Sequence, residues 1–275
     1  MSTAPAQTPG CPEPGPNRYD ELEAPALRTL LAQRDAQAAE QAAAMEAWMH
    51  AVSHDLRAPL RHVTSYGPLV RELLNEAEGM EPEARQEALA FLDTMDQSAR
   101  RMGRMLEGLL ALSRIARAPL RPEPVDLAAL VEQVRAAMAD ALQGRSVQWQ
   151  VATGLPTVRA DAALLRQMLA ELLGNAVKFT RGRDPARIAV AWQRGEDGLV
   201  SLTVQDNGAG FNPAQAAGLF GIFQRLHRES EFEGVGSGLA AVQAIARRHG
   251  GHASATAAPG EGCTVQVVWP EPPAA

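Results

Sequence analysis

Between Met45 and Ala116 apolar residues recur at helical spacing, and this pattern restricts the fold more than any other feature of the chain. Met45, Trp48, Val52, Leu56, Leu60, Val63, Gly67, Val70 and Leu74 step by three or four. That is close to the 3.5-residue repeat of a helix buried along one seam. NEAEGMEPE (75–83) then brings Gly79 and Pro82, which suit a turn. A second series follows in Phe91, Met95, Ser98, Met102, Met105, Leu109, Leu112 and Ala116, and stops before Pro119, Pro122 and Pro124. Two long helices joined by a short turn form a hairpin that covers its own apolar stripe only in part. Pairing two such hairpins completes a four-helix bundle, so a homodimer is expected.

The flanking sequence is different in kind. Residues 1–18 are rich in proline and glycine, with little to bury, and read as a disordered tail. The helical domain is expected over 19–118 and a proline-rich linker over 119–124. Beyond it, over 125–271, helical segments (127–142, 161–178, 238–249) alternate with short strand-like runs. The strand-like runs are Val147–Val151, Ile188–Trp192, Leu199–Gln205 and Cys263–Trp269. Mixed strands and helices with Gly-rich turns predict an α/β sandwich. Residues 272–275 form a short tail. The fold class is therefore α plus α/β.

Charge and composition exclude several functions. The formal net charge of −6 leaves no basic footprint for nucleic acid. Cys11 and Cys263 stand far apart and in no metal-ligand spacing. No apolar run approaches the roughly 18 residues of a membrane span, and the N-terminus lacks the order of a signal peptide. A cytoplasmic protein without membrane contact is expected. The chain also holds 25 arginines but one lysine, Lys178. A single lysine must fall somewhere, yet this one falls in ELLGNAVKFT (171–180), where a compact point charge can meet a phosphate.

Four short segments carry chemistry. In AVSHDLRAPLR, His54 lies two residues from Val52 and from Leu56, so it points away from the seam and is expected to be exposed. The alternative is an ordinary surface histidine. Asp55 can accept from one ring nitrogen and leave the other nucleophilic, and Pro59 permits a bend nearby. His50 and His54, with Glu46 a turn earlier, also have the spacing of a metal pair, without the further ligands a structural zinc wants. ELLGNAVKFT places Glu171, Asn175 and Lys178 on one side of a helix. An amide oxygen can ligate Mg²⁺, a lysine can meet phosphate, and a glutamate can orient water or act as a base. In DNGAGF (206–211), Asp206 can accept from the amine of adenine while Gly208 and Gly210 let the backbone turn close to the base. The same residues also make a plain turn. GVGSGL (234–239) opens a helix whose N-terminus suits a phosphate. The polar HRESEFE before it reads as a lid, and HGGH (249–252) as a helix end rather than a metal site. A phosphate donor and an imidazole acceptor on one chain suggest a kinase acting on its own histidine.

In this order the segments resemble those of the sensor histidine kinases of two-component signalling, over about residues 45–270. SHDLRAPL resembles the H-box, ELLGNAVKFT the N-box, DNGAGF the G1 box, LFGIF (219–223) the F-box and GVGSGL the G2 box. SHDLRAPLR with FGIFQRLH is most similar to the kinases found behind phytochrome-type photoreceptors. The resemblance implies a dimerisation and phosphotransfer bundle followed by a Bergerat-type ATP-binding domain. It makes His54 the phosphoacceptor and Asp55 its acidic helper. Asn175 would hold Mg²⁺, Lys178 would contact phosphate and Asp206 adenine. Gly208, Gly210, Gly234, Gly236 and Gly238 would shape the ATP pocket, Phe220 and Phe223 would anchor the lid, and Arg225 would contact phosphate.

The sequence departs from the family pattern at several positions. Ala58 stands where members that dephosphorylate their partner carry Thr or Asn, which argues against that activity here. Glu171 stands where many have Asn, in a place where related ATPases use a glutamate as base. Val235, Ser237 and Cys263 also replace common residues. The expectation is an ATP-dependent histidine autokinase that passes its phosphoryl group to a separate response regulator's receiver domain. Its input would come from a separate sensor protein or from the dimer's own coil. The alternatives are a nucleotide-binding pseudokinase that partners another kinase, and an ATPase or serine kinase of the same nucleotide fold.

Overall fold

The computed structural model describes residues 55–271, apart from 78, 196, 197, 229 and 230, together with 25, 28 and 29. His50 and His54 lie outside the described residues, as do the expected tails at 1–18 and 272–275. Residues 25, 28 and 29 are helical, and the Thr29 hydroxyl donates to the Pro25 carbonyl at 3.0 Å.

The expected hairpin is present. Helix α1 covers 55–76 and runs through Pro59 and Pro68 without interruption, so the bend allowed at Pro59 leaves the helical assignment intact. The turn passes through Gly79 at φ 76°, a left-handed conformation that glycine takes at no steric cost. Arg85 braces the turn by donating to the Asn75 carbonyl at 3.2 Å and to that of Ala77. Helix α2 then runs over Pro82–Arg117, with proline in its first turn, where no N–H is needed. Arg71 of α1 pairs with Asp93 of α2. Leu56, Val63 and Val70 on α1, and Phe91, Met95 and Met102 on α2, stay exposed in the single chain. At its far end α2 turns inward: Ser113 and Ile115 are buried and Leu112 packs on the core of the next domain.

That domain is a five-stranded sheet covered by helices. Its strands are β1 (Glu123–Asp126), β2 (Val147–Val151), β3 (Thr157–Ala160), β4 (Ala186–Arg194), β5 (Leu199–Asp206), β6 (His252–Ala258) and β7 (Gly262–Pro270). Its helices are α3 (Leu127–Ala136), α4 (Ala162–Phe179) and α5 (Gly238–Arg248). The sheet order is β2-β4-β5-β7-β6; β2 pairs with β4 in parallel and the other neighbours are antiparallel. A separate antiparallel ribbon joins β1 to β3. Period-two alternation turns Ile188 and Val190 of β4, and Val200, Leu202 and Val204 of β5, into the core. Asp206 continues the same inward series at the end of β5, which is why a carboxylate lies 8% exposed there.

The linker expected at 119–124 is shorter than its prolines suggest. Glu123 and Pro124 form the start of β1, opposite Ala160 and Arg159, and Arg121 donates its backbone N–H to Asp161 Oδ2 at 3.1 Å. The helix expected over 127–142 ends at Ala136, and its remainder becomes a short 3₁₀ turn at Asp140–Leu142.

Candidate nucleotide site

Helix α4 sets one wall of the site. Asp161 caps it, accepting from the Leu164 N–H at 3.1 Å, the arrangement that satisfies an orphan donor at a helix start. Leu165, Met168, Leu169, Leu172 and Leu173 face the sheet, none more than 2% exposed. At roughly 2 kcal/mol per buried side chain, this face fixes the helix orientation against the cost of half-burying Glu171 and Lys178. Glu171, Asn175 and Lys178 then follow along the open side. At the C-terminus the buried Thr180 hydroxyl donates to the Ala176 carbonyl at 2.7 Å, and Arg145 donates to the Val177 carbonyl at 2.9 Å.

A cleft of about 480 Å³ opens in front of this helix. Of the expected residues it gathers Glu171, Asn175, Lys178, Gly210, Arg225, Gly234, Gly236 and Gly238. Gly238 lies so close to Glu171 that a β-carbon there would collide with Oε2. Burial raises the Glu171 pKa above the usual carboxylate value, opposed by the charge of Lys178. Burial likewise holds the Lys178 amine below the ordinary lysine value, offset in part by Glu233. The Lys178 Nζ sits 4.4 Å from the centre of the Phe179 ring.

Asp206 does not itself line the cleft, but its ladder partner Cys263 does. The Asp206 Oδ1 accepts from the Gly208 N–H at 2.7 Å. Burial nevertheless lifts its pKa to about 6, against the backbone N–H groups of Gly208 and Cys263, which pull it down. Cys263, paired with Asp206 across the β5–β7 ladder, has its thiol pushed up to about 12 by burial and then by that carboxylate. It remains a neutral thiol at physiological pH.

Not every expected residue lines the cleft. Gly208 is buried behind it, with Phe179 O and Asp206 Oδ1 where a β-carbon would stand. Phe220 packs on the domain core. Phe223 takes φ 61° and donates its N–H to the Gly236 carbonyl at 2.9 Å, so it braces the glycine segment from behind. Asp55 is exposed on α1. Arg225 does line the cleft, but its guanidinium donates to the carbonyls of Phe232 and Gly234 and so ties down the lid itself.

The lid also uses residues that sequence reasoning missed. Phe179, His227 and Phe232 form an aromatic trio with centroids 5.0–5.4 Å apart, within the range of favourable edge-to-face contact. The His227 Nε2 donates to the Gly210 carbonyl at 2.8 Å, and Arg181 pairs with Glu233. One available signal was Phe232, the lone large apolar residue in the otherwise polar HRESEFE. The expected helix end at HGGH is present: His249 caps α5, with Nδ1 on the Ile245 carbonyl at 2.9 Å and Nε2 accepting from the Asp161 N–H at 3.1 Å. Among the described residues no cluster of three or more His, Cys, Asp or Glu could hold a metal ion. Nor, among them, is any helix long and apolar enough to cross a membrane.

Comparison with known proteins agrees with both halves of the chain. Residues 44–118 match the model of the His Kinase A (phospho-acceptor) domain. Residues 160–273 match that of the histidine kinase-, DNA gyrase B- and HSP90-like ATPases. The methanogenesis regulatory histidine kinase FilI of Methanothrix harundinacea is 31% identical over 231 residues, 84% of this chain and 25% of that protein. The phytochrome-like protein Cph1 of Synechocystis is 29% identical over 80% of this chain and 28% of its own length. The adaptive-response sensory kinase SasA of a Synechococcus species is 31% identical over 88% and 63%. The chain thus spans between a quarter and about two thirds of these relatives. Among solved structures, full-length ShkA in complex with AMPPNP superposes with a TM-score of 0.57 at 28% identity, covering 82% of this chain and 46% of ShkA. The Acinetobacter baumannii histidine kinase AdeS, at 19% identity and a TM-score of 0.51, shares the fold. With a phospho-acceptor region and a nucleotide domain matched on one chain, and with relatives that span both, this protein belongs to the histidine kinases of two-component signalling.

Proposed function

We propose that this chain binds Mg-ATP in the cleft, transfers the γ-phosphoryl group to His54 and passes it on to an aspartate of a separate response regulator. The observation that carries this reading is the convergence of Asn175, Lys178 and the Gly234–Gly238 segment on one cleft, whose lining includes Cys263, the ladder partner of the buried Asp206. The Gly238 N-terminus of α5 and the Lys178 ammonium suit the polyphosphate. Magnesium keeps most of its waters and takes few protein ligands, and the sparse donor pair Asn175 and Glu171 fits that demand. When bound, it would supply charge neutralisation at the β- and γ-phosphates. A ring nitrogen of His54 attacks phosphorus, the bond to the β,γ-bridging oxygen breaks and ADP leaves. Asp55 takes the hydrogen bond of the second ring nitrogen and fixes the tautomer. Positioning and electrostatics supply most of the rate.

The working unit would be a cytoplasmic homodimer. Leu56, Val63, Val70, Phe91, Met95 and Met102 are spaced along the hairpin as a seam for a second copy and are exposed without one. The functional division would fall at 19–118 for dimerisation and phosphotransfer and at 125–271 for ATP binding. Incubation with ATP labelled at the γ-phosphate is expected to give a stable label that acid removes and alkali does not. No label, with nucleotide still bound, would sink the kinase reading in favour of the interaction-protein alternative.

Asp206 makes adenine binding pH-dependent. An exocyclic amine donates to the carboxylate form, so binding and ionisation favour each other, and affinity is lost as pH falls through the carboxyl's pKa of about 6. Adenosine, which has no phosphate to titrate, is the cleaner ligand for this measurement. Its affinity should be flat above neutrality and fall by about tenfold per pH unit well below the pKa. A profile level across that range would remove Asp206 from the base-binding role.

A further inference from the structure

The cleft has a wall that the nucleotide domain does not supply. Arg104, Glu107, Gly108 and Ala111 of α2 line it, and their spacing of three, one and three residues makes them a single helix face. Two contacts seat this face on α5. A β-carbon at Gly108 would stand 2.9 Å from Ser237 Cβ and 3.0 Å from its Oγ, so glycine is what admits the helix there. Further along, Arg248 donates to the Ala116 carbonyl at 2.8 Å and to that of Ala118.

These contacts fix direction as well as position. Ser237 immediately precedes α5 and Arg248 is its last residue. Their counterparts, Gly108 and Ala116, follow in the same order along α2. The two helices therefore run side by side in parallel, and α2 continues beyond the N-terminus of α5. Arg104 stands one turn before Gly108, about 6 Å further on at 1.5 Å per residue. Side chains tilt toward the N-terminus of their own helix, which carries the guanidinium still further in that direction. That space lies ahead of the α5 N-terminus, where a helix attracts phosphate. The charge balance favours the same role. A nucleoside triphosphate brings several negative charges, and Glu107, Glu171 and Glu233 already line the cleft with Lys178 and Arg225, so a further cation there is favoured.

We propose that Arg104, although it belongs to the helical hairpin, binds the polyphosphate of the nucleotide and so completes the site from outside the nucleotide domain. This rests on the nucleotide reading of the cleft. It follows that nucleotide binding and the seating of α2 on α5 strengthen one another by the same factor, as linkage requires.

The test compares the affinity of AMPPNP and of adenosine for the full chain by calorimetry, in the wild type and in Arg104→Ala, Arg104→Lys and Arg101→Ala. Arg104→Ala is expected to weaken AMPPNP binding by about tenfold or more, the usual effect of losing a charge-assisted hydrogen bond, and to leave adenosine unchanged. Arg104→Lys should recover part of the loss, added salt should shrink the difference, and Arg101→Ala on the same helix should do nothing. Gly108→Leu, which wedges α2 away from Ser237, should produce a similar loss that does not add to that of Arg104→Ala. Unchanged AMPPNP affinity in Arg104→Ala, or an equal loss for adenosine, overturns the proposal. A wild type that binds neither ligand overturns the nucleotide reading itself, and this inference with it.

Discussion

Exchange of His54 for glutamine is expected to abolish all acid-labile, alkali-stable phosphate on the chain while leaving AMPPNP affinity as it was. The effect is all-or-none because a carboxamide nitrogen, its lone pair delocalised into the carbonyl, is no nucleophile toward phosphorus, whereas an imidazole nitrogen is. The chemistry of the label identifies the acceptor class, since a phosphoramidate hydrolyses in acid and a serine or threonine phosphoester survives it. Six histidines make the assignment a real choice. His249 has both ring nitrogens engaged and His227 is held in the lid on the Gly210 carbonyl. His252 lies exposed at the start of β6. His62 is exposed on α1, with its ring stacked on Tyr66 at 5.8 Å. Label that persists in His54→Gln would therefore reject His54 and make His50, His62 and His252 the next residues to replace.

Gly210→Ala is expected to cost about 3 kcal/mol or more of stability, near the severe end of single substitutions. Two penalties combine. Gly210 has φ 62°, a left-handed conformation that costs roughly 1–2 kcal/mol with a β-carbon present. The added carbon would also overlap the carbonyl oxygen of Ala258, which is backbone and cannot rotate away. Nor can the segment shift freely. The Gly260 N–H donates to the Ala209 carbonyl at 2.7 Å, and Arg183 bridges the carbonyls of Gly208 and Gly260. A drop in Tm of roughly 10 °C should accompany the loss for a domain of this size. Gly218→Ala is the matched control, with no neighbour within 4 Å and no positive φ, and should be nearly silent. Equal Tm values for the two variants would refute the account of Gly210.

The parts of the fold that could be read in advance are those whose burial is decided locally. Helix α4 declares itself because its five large inward side chains and its three cleft residues occupy opposite sides of one helical repeat. Strands β4 and β5 declare themselves by alternation. Strand β6 does not: HASATAA has no bulky residue, and its burial comes from Val265 and Val267 of β7 beside it. Strands β1 and β3 are four residues each, one of them containing Pro124, and exist only as a pair.

The site divides in the same way. Glu171, Asn175, Lys178 and the glycines of GVGSGL were legible because one helix and one helix start present them. The α2 wall was not legible, since it depends on Gly108 meeting Ser237 across a long stretch of chain. Of the expected lid anchors, Phe220 packs on the domain core and Phe223 holds the glycine segment by its backbone. The lid is also pinned by Arg181, Arg225 and the aromatic trio, whose members are separated in sequence.

Lys178 has one more consequence, and it concerns reagents rather than ligands. It is the sole side-chain amine in the chain, and it lines the cleft with its pKa held down by burial. A lowered pKa enlarges the uncharged, nucleophilic fraction of an amine at neutral pH. Acylating and aldehyde reagents therefore meet one lysine, at the position where phosphate would sit. The extent of reaction at Lys178, read separately from that of the α-amino group, reports empty clefts with no probe having to be engineered into the protein.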